Sequence, residues 1–278
     1  ESLGNPKLDV LDLKAISKAA QTYKVPFIVD NTVATPFLLN PIEHGANIII
    51  HSLTKYIGGN GTSLGGVIID AGNFDWNNGK FPEFTEPSAG YHGLKYYEVL
   101  GAASFIAKVR IEGLRDLGAS LSPFNAFQII QGLETLAIRI KKHSENALEL
   151  AKWLQKRPEV AWVNYPGLIS SKYYDLAQQY LPEGQSGIVT FGLKGGYEAA
   201  KKVADETQFF SLLANIGDTK SLIIHPASTT HQQLSEEQQI TTGVTKDLIR
   251  LSVGLEDIED LKADLQSVFE KLPVQNLV

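Results

Sequence analysis

The sequence predicts an α/β protein built in two parts, and three observations predict it. Apolar runs of strand length alternate with stretches of helical periodicity; the runs in "PFIVDNT" and "ANIIIHS" are apolar without interruption; and a long amphipathic stretch separates an early set of strands from a later one. With 278 residues, 43% hydrophobic and 20% charged, the chain can bury a substantial core. A division into 1–130 and 131–278 is expected.

The elements follow in order. "LDVLDLKAISKAAQTYKV" sets Leu8, Leu11, Leu13, Ile16, Ala19 and Ala20 near helical spacing, with Asp9 and Asp12 toward its start. "PFIVDNT" and "ANIIIHS" read as strands buried on both faces. "GGVIID" comes too soon after the second for a crossover helix, so it is expected to return antiparallel. "AGNFDWNNGKFPEFTEPSAGYHG", dense in Gly, Pro, Asn and aromatics, reads as a long loop, and loops of that length line sites or interfaces. Helical periodicity resumes from Tyr97 to Leu117. It continues in "SPFNAFQIIQGLETLAIRIKKHSENALELAKWLQKR", with a break expected near Gly132 and an end before Pro158. Then "VAWVNYP", "SGIVTFGL", "FFSLLANIG", "KSLIIHPAS" and "LIRLSVGLE" alternate with the helices "GGYEAAKKVADET" and "DIEDLKADLQSVFEKL", which predicts a second compact α/β unit. The closing "PVQNLV" reads as a mobile tail.

Composition narrows the function. A formal net charge of -6 argues against nucleic acid, which demands a concentrated basic face. The basic clusters "RIKKH" (139–143) and "AAKKVA" (around Lys201) are expected to be solvated helix faces. No cysteine excludes disulfides, thiolate nucleophiles and cysteine-bound zinc, and fits a reducing cytoplasm. The six histidines show no i, i+4 metal-binding pair, so no metal is expected. No run reaches the ~18 apolar residues of a membrane span.

The chemistry concentrates in "NIIIHSLTKYIGGNGTSLGGVIID" (47–70), where Lys55 stands between the hydroxyls of Ser52 and Thr54 and ahead of Gly58, Gly59 and Gly61. A lysine at the carboxyl end of a buried strand, partly stripped of solvent, is a candidate nucleophile toward aldehydes, although most strand-end lysines are solvated and alone it favours that reading. Hydroxyls and close-approaching glycine backbone suit a phosphate. A P-loop is excluded, because there the lysine follows its glycines. Asp30 ends the preceding strand in a carboxylate, which serves either as a loop cap or as a partner for a cation. An amine for a Schiff base and an anion for a pyridinium nitrogen are what pyridoxal 5'-phosphate requires.

"FIVDNTVATPFLLNPIEHGANIIIHSLTKYIGGNGTSLGGVIID" resembles the lysine segment of the transsulfuration enzymes, the Cys/Met-metabolism family of fold-type I pyridoxal-phosphate proteins. "GNFDWNNGKFPEFTEPSAGYHGLKYYEVLG" resembles the extended loop of the O-acetylhomoserine sulfhydrylase subgroup, and the likeness continues through "SLIIHPASTTHQQL" and "LIRLSVGLED". The resemblance implies a PLP-dependent transferase fold of the aspartate-aminotransferase type with a smaller C-terminal α/β domain. It implies Lys55 as the cofactor lysine, Asp30 as the pyridinium partner, and Ser52 and Thr54 as phosphate ligands. Asn5, Ser221 and Arg250 would hold the substrate carboxylate; a guanidinium fork matches a carboxylate, while without the family Arg250 reads equally as a buried ion-pair partner. His225 and His231 flank "PASTT" as pocket-lining or packing residues.

The activity so implied is replacement of acetate by sulfide on O-acetyl-L-homoserine, giving homocysteine for methionine biosynthesis. Cystathionine γ-synthase or γ-lyase chemistry is the alternative within the family, and a non-catalytic assembly subunit is the alternative outside it. The partners implied are small molecules and further copies of the chain, a tetramer built of dimers with shared active sites, in the cytoplasm and without membrane or nucleic acid. The family's upstream phosphate-binding turn, ring-stacking aromatic and intersubunit Tyr and Arg are not found before Glu1, and the chain has no methionine. The first part of the cofactor domain is therefore expected to be absent from this chain, leaving a sheet with open edges.

Overall fold

The computed structural model describes residues 1–273; within the expected tail, 274–278 lie outside the described residues. The first helix, Leu13–Thr22, starts where Asp12 accepts from the Ala15 amide at 3.1 Å, the N-cap interaction its sequence offers. Three strands follow, β1 (Ile28–Asp30), β2 (Ile48–Ser52) and β3 (Gly66–Asp70), in the order β1-β2-β3. β1 and β2 run parallel with Asp30 beside Ile50, and β3 returns antiparallel, as its short connection requires.

Burial on both faces is not what the structure gives these strands. Val29, Ile49 and His51 are buried on one face, whereas Ile28, Ile50 and Ile68 are exposed on the other. Ile48 escapes this by packing with Trp76 and Phe84 of the long stretch 71–93 and with Tyr96, which opens the helix after it. An apolar run records that both faces suit burial; among the described residues one face is covered along β1 and β2, while Ile69 of β3, in register with Ile49 on that face, is exposed.

The stretch 96–117 is helical but broken into short segments, with Gly101 at φ +52 between the first two. The long amphipathic stretch forms two helices, Pro123–Glu134 and Leu136–Leu154, parted at Thr135. Gly132 sits against the turn after β2, where a Cβ would lie 2.3 Å from the Gly58 carbonyl oxygen. The reading of 139–143 as a solvated face is corrected here. Lys141 is exposed, but Arg139 and His143 are buried, because they share the i, i+3/i+4 stripe of Leu136, Ile140 and Ala147 that faces inward. Around Lys201 the solvated reading holds: Lys201 and Lys202 pair with Asp205 and Glu206 along the helix Gly196–Glu206.

The second sheet comprises β4 (Val160–Asn164), β5 (Ile188–Leu193), β6 (Ser211–Leu212), β7 (Leu222–Ile224) and β8 (Leu248–Ser252), ordered β4-β5-β8-β7-β6. Only β6 and β7 pair in parallel. Phe191, Val189, Ile223, Ile249 and Leu251 point to one face and form a core with the helices Leu136–Leu154, Gly196–Glu206 and Ile258–Phe269. Strand alternation then sends Arg250, between Ile249 and Leu251, to the opposite face, in register with Thr190 and Ile224. No described helix is long and apolar enough to cross a membrane.

Candidate active site

Lys55 lies in the tight turn that follows β2. The Gly58 amide donates to the Leu53 carbonyl at 2.9 Å and the Gly59 amide to the Lys55 carbonyl at 2.8 Å. The amine is half-buried, and Nζ donates to Asn215 Oδ1 at 2.5 Å. Asn215 stands on the loop between β6 and β7, and Gly217 lets that loop come so close. Gly217 has φ +74, and a Cβ there would lie 2.5 Å from the Tyr56 amide nitrogen. The Thr219 amide fixes the loop to the same turn through the Gly59 carbonyl at 2.8 Å.

Arg250 completes the cluster. Its Nη1 donates to Asn5 Oδ1 at 3.1 Å and its Nη2 to the Asn215 carbonyl at 3.2 Å, while Nε is buried without a partner among the described residues. Burial pushes the guanidinium down to about 10, which leaves it cationic at neutral pH. Burial, and then the charge of Arg250, push the Lys55 amine below its ordinary value. The cationic neighbour is the condition that raises the neutral, nucleophilic fraction of a lysine.

Asp30 is half-buried at the carboxyl end of β1, and its Oδ1 accepts from the Thr32 amide at 2.9 Å. Ser52 occupies the end of the neighbouring parallel strand, its amide donating to Thr32 Oγ1 at 2.8 Å. Parallel strand ends are where open α/β sheets bind ligands. The Thr54 hydroxyl accepts from the Gly65 amide at 3.0 Å and sits 3.3 Å from the Gly65 carbonyl, so it braces the glycine segment.

Five residues singled out from the sequence therefore bear directly on one region: Lys55, Arg250 and Asn5 in a single hydrogen-bonded cluster, Asp30 and Ser52 at adjoining strand ends. Ser221 is placed otherwise. It is fully buried, its hydroxyl donates to Glu256 Oε2 at 2.8 Å and accepts from the Gly254 amide at 2.8 Å, and its own amide donates to Glu256 Oε1 at 2.6 Å. No polar atom of Ser221 is left for a substrate, and Asn215, which sequence reading passed over, takes the position beside Lys55 and Arg250. His225 is a packing residue, with both ring nitrogens taken by Ser228 Oγ and the Lys246 carbonyl at 2.8 Å each. His231 is half-buried and lowered first by burial and then by the Arg250 charge.

These two placements give opposite expectations. Ser221→Ala takes away the hydroxyl that links Glu256 Oε2 to the Gly254 amide and should lower stability by ~1–3 kcal/mol with kcat/KM unchanged. Asn215→Ala should leave stability near wild type and lower kcat/KM by about tenfold, the worth of one hydrogen bond to a charged group. Denaturant titration and steady-state kinetics on the same preparations read both.

The donor set fits pyridoxal phosphate. Among the described residues, Lys55 supplies an amine of depressed basicity, Asp30 a carboxylate with one oxygen free of protein bonds, Ser52 a hydroxyl, and Arg250 an unpaired buried N–H.

Comparison with known proteins bears on the same point. The family described as Cys/Met metabolism PLP-dependent enzyme matches residues 1–270. An O-acetyl-L-homoserine sulfhydrylase of Leptospira meyeri is 56% identical over 281 residues, covering 98% of this chain and 64% of that protein. O-acetyl-L-homoserine sulfhydrylase 1 of Thermus thermophilus is 51% identical, covering 96% and 63%. A Campylobacter jejuni crystal structure, described as an O-acetylhomoserine (thiol)-lyase and holding N'-pyridoxyl-lysine-5'-monophosphate, superposes with a TM-score of 0.93 at 49% identity, over 97% of this chain and 64% of that one. The chain thus spans just under two thirds of the length of these relatives.

Proposed function

The chain belongs to the Cys/Met-metabolism family of pyridoxal-phosphate-dependent enzymes, and on that footing we propose that it serves an O-acetyl-L-homoserine sulfhydrylase, which replaces acetate by sulfide to give homocysteine. The observation that carries the reading is the convergence of Lys55, Asn215, Asn5 and Arg250, a reactive amine beside an anion-binding fork.

In this reading Arg250 and Asn215, steadied by Asn5, hold the substrate α-carboxylate and so aim the α-carbon at Lys55. Asp30 keeps a pyridinium nitrogen protonated, and Ser52 with the glycine segment braced by Thr54 receives the phosphate. What the cofactor supplies when bound is an electron sink for the α-carbon. Lys55 Nζ would take the α-proton and hand it to the cofactor, then take a proton from the β-carbon so that acetate leaves the γ-carbon; once sulfide has added there, the same amine returns protons to the β- and α-carbons, which is general acid–base work for one group. Asn215 Oδ1 holds the amine between these tasks.

The division at residue 130 assigns the Lys55 segment to a cofactor domain and the second sheet to a domain that brings Arg250. Assembly into a homo-oligomer fits the exposed stripe Phe124, Phe127, Ile130 and Leu133 on the helix Pro123–Glu134. A cytoplasmic site of action fits the absence of cysteine.

The expected result is formation of homocysteine from O-acetyl-L-homoserine and sulfide, followed by thiol release and mass spectrometry, with cysteine a poor acceptor. Turnover with cysteine and not with sulfide would assign the chain to cystathionine synthesis instead.

A further inference from the structure

Arg139 is a buried guanidinium with an unusual set of partners. Nη1 donates to the Tyr56 carbonyl at 2.7 Å, Nη2 to the Ile57 carbonyl at 3.1 Å and the Gly132 carbonyl at 2.7 Å, and Nε to Thr135 Oγ1 at 3.0 Å. Every one of these acceptors is a neutral oxygen, and two belong to the residues that directly follow Lys55. Burial lowers the basicity of the group, as it must for a charge held without a carboxylate.

The contact is built into the sequence on both sides. Gly59 leaves room for the guanidinium, since a Cβ there would meet Arg139 Nη1 at 2.3 Å, and Gly132 lets its helix reach the Ile57 and Gly58 carbonyls. On the far side Gly217 presses on Tyr56, and the Tyr56 hydroxyl accepts from the Gly187 amide at 3.2 Å. One helical turn beyond Arg139, the neutral His143 meets the Tyr56 ring edge-on at 5.2 Å and holds the Val253 carbonyl at 2.6 Å. The turn is thus gripped between the long helix and the second sheet. Without the guanidinium, the Tyr56 and Ile57 carbonyls would point into packed protein unpaired.

We infer that Arg139 is a positioning residue for Lys55, fixing the backbone of the 55–59 turn so that the amine changes partners by side-chain rotation alone. The inference rests on the reading of Lys55 as the cofactor lysine. A lysine that must meet an aldehyde carbon, a substrate proton and the Asn215 amide in succession needs a stationary Cα. A neutral fork would not do, because only a guanidinium offers several donors in one plane to divergent carbonyls.

The experiment compares Arg139→Gln, Arg139→Lys and the exposed same-helix control Lys141→Gln with wild type. Two quantities are read: the rate at which added pyridoxal phosphate is captured by the cofactor-free protein, followed by absorbance, and the rate of α-proton exchange of a bound amino acid, per bound cofactor. Arg139→Gln is expected to slow both by about 10²-fold, the cost of a misplacement near 1 Å, with amino-acid affinity nearly unchanged. Arg139→Lys should recover only part of the rate, and Lys141→Gln should match wild type. Wild-type rates per folded molecule in Arg139→Gln, with only the melting temperature lowered, would overturn the inference. Should that variant not fold, Arg139→Lys decides: full wild-type rates there would show that the planar fork is dispensable. Lys55→Ala separates the two claims, since capture that survives its loss refutes the reading of Lys55 itself, whereas capture that needs Lys55 but ignores Arg139 refutes this inference alone.

Discussion

Lys55→Ala is expected to lose the absorbance that pyridoxal phosphate acquires on condensing with a lysine, and to lose turnover by at least the ~10²–10⁴-fold that a positioned proton-transfer group contributes. The argument is geometric before it is electrostatic. Lys55 Nζ lies 2.5 Å from Asn215 Oδ1, the residue whose carbonyl also accepts from Arg250, and burial with the Arg250 charge lowers its basicity. Lys55→Arg keeps a cation at the site but no nucleophile, so it should fail as badly. A variant without Lys55 that still formed the band and turned over would remove the basis of the site.

Arg250→Lys should raise KM for the amino-acid substrate by about 10-fold to ~150-fold with a smaller change in kcat, since a bidentate charged contact worth ~1.5–3 kcal/mol is traded for a single ammonium. Arg250→Met adds a second effect with a definite sign. Condensation needs the neutral amine, so the rate of cofactor capture rises with pH through the Lys55 pKa. Burial first and then the Arg250 charge hold that pKa down, and removing the charge lets part of the lowering go, so the profile should move to higher pH in Arg250→Met and far less in Arg250→Lys. A pH–rate series for cofactor capture in the three proteins checks this. Coincident profiles would mean that Arg250 does not act on Lys55.

Lys55, Asp30 and Arg250 stood out in the sequence because each sets a charge at the end of, or inside, an apolar run, while the roles proposed for them came from the family resemblance. The strands and the antiparallel return of β3 were legible for a related reason, that connection length limits topology. Asn215 was not, since an Asn in "ANIGD" looks like ordinary turn chemistry. Its signal was indirect, in the need for Gly217 at φ +74 against Tyr56. Ser221 was misplaced because a hydroxyl at a strand start offers the right chemistry, and only Glu256, 35 residues on, reveals that it is spent. Arg139 and His143 were hidden by their neighbours: "RIKKH" reads as a basic run until the i, i+3 spacing of Leu136 to Arg139 and the i, i+4 spacing of His143 to Ala147 separate two inward residues from two lysines. Burial of β1 and β2 was overestimated because hydrophobicity reports what a face suits, not what covers it.

Reduction of the cofactor-loaded protein with borohydride, followed by proteolysis and peptide mass mapping, tests the central claim most directly, because it fixes the cofactor to whichever lysine holds it. A single modified peptide carrying the pyridoxyl group on Lys55 is the result expected. Modification of another lysine, such as Lys7 or Lys220, with Lys55 untouched would contradict the account.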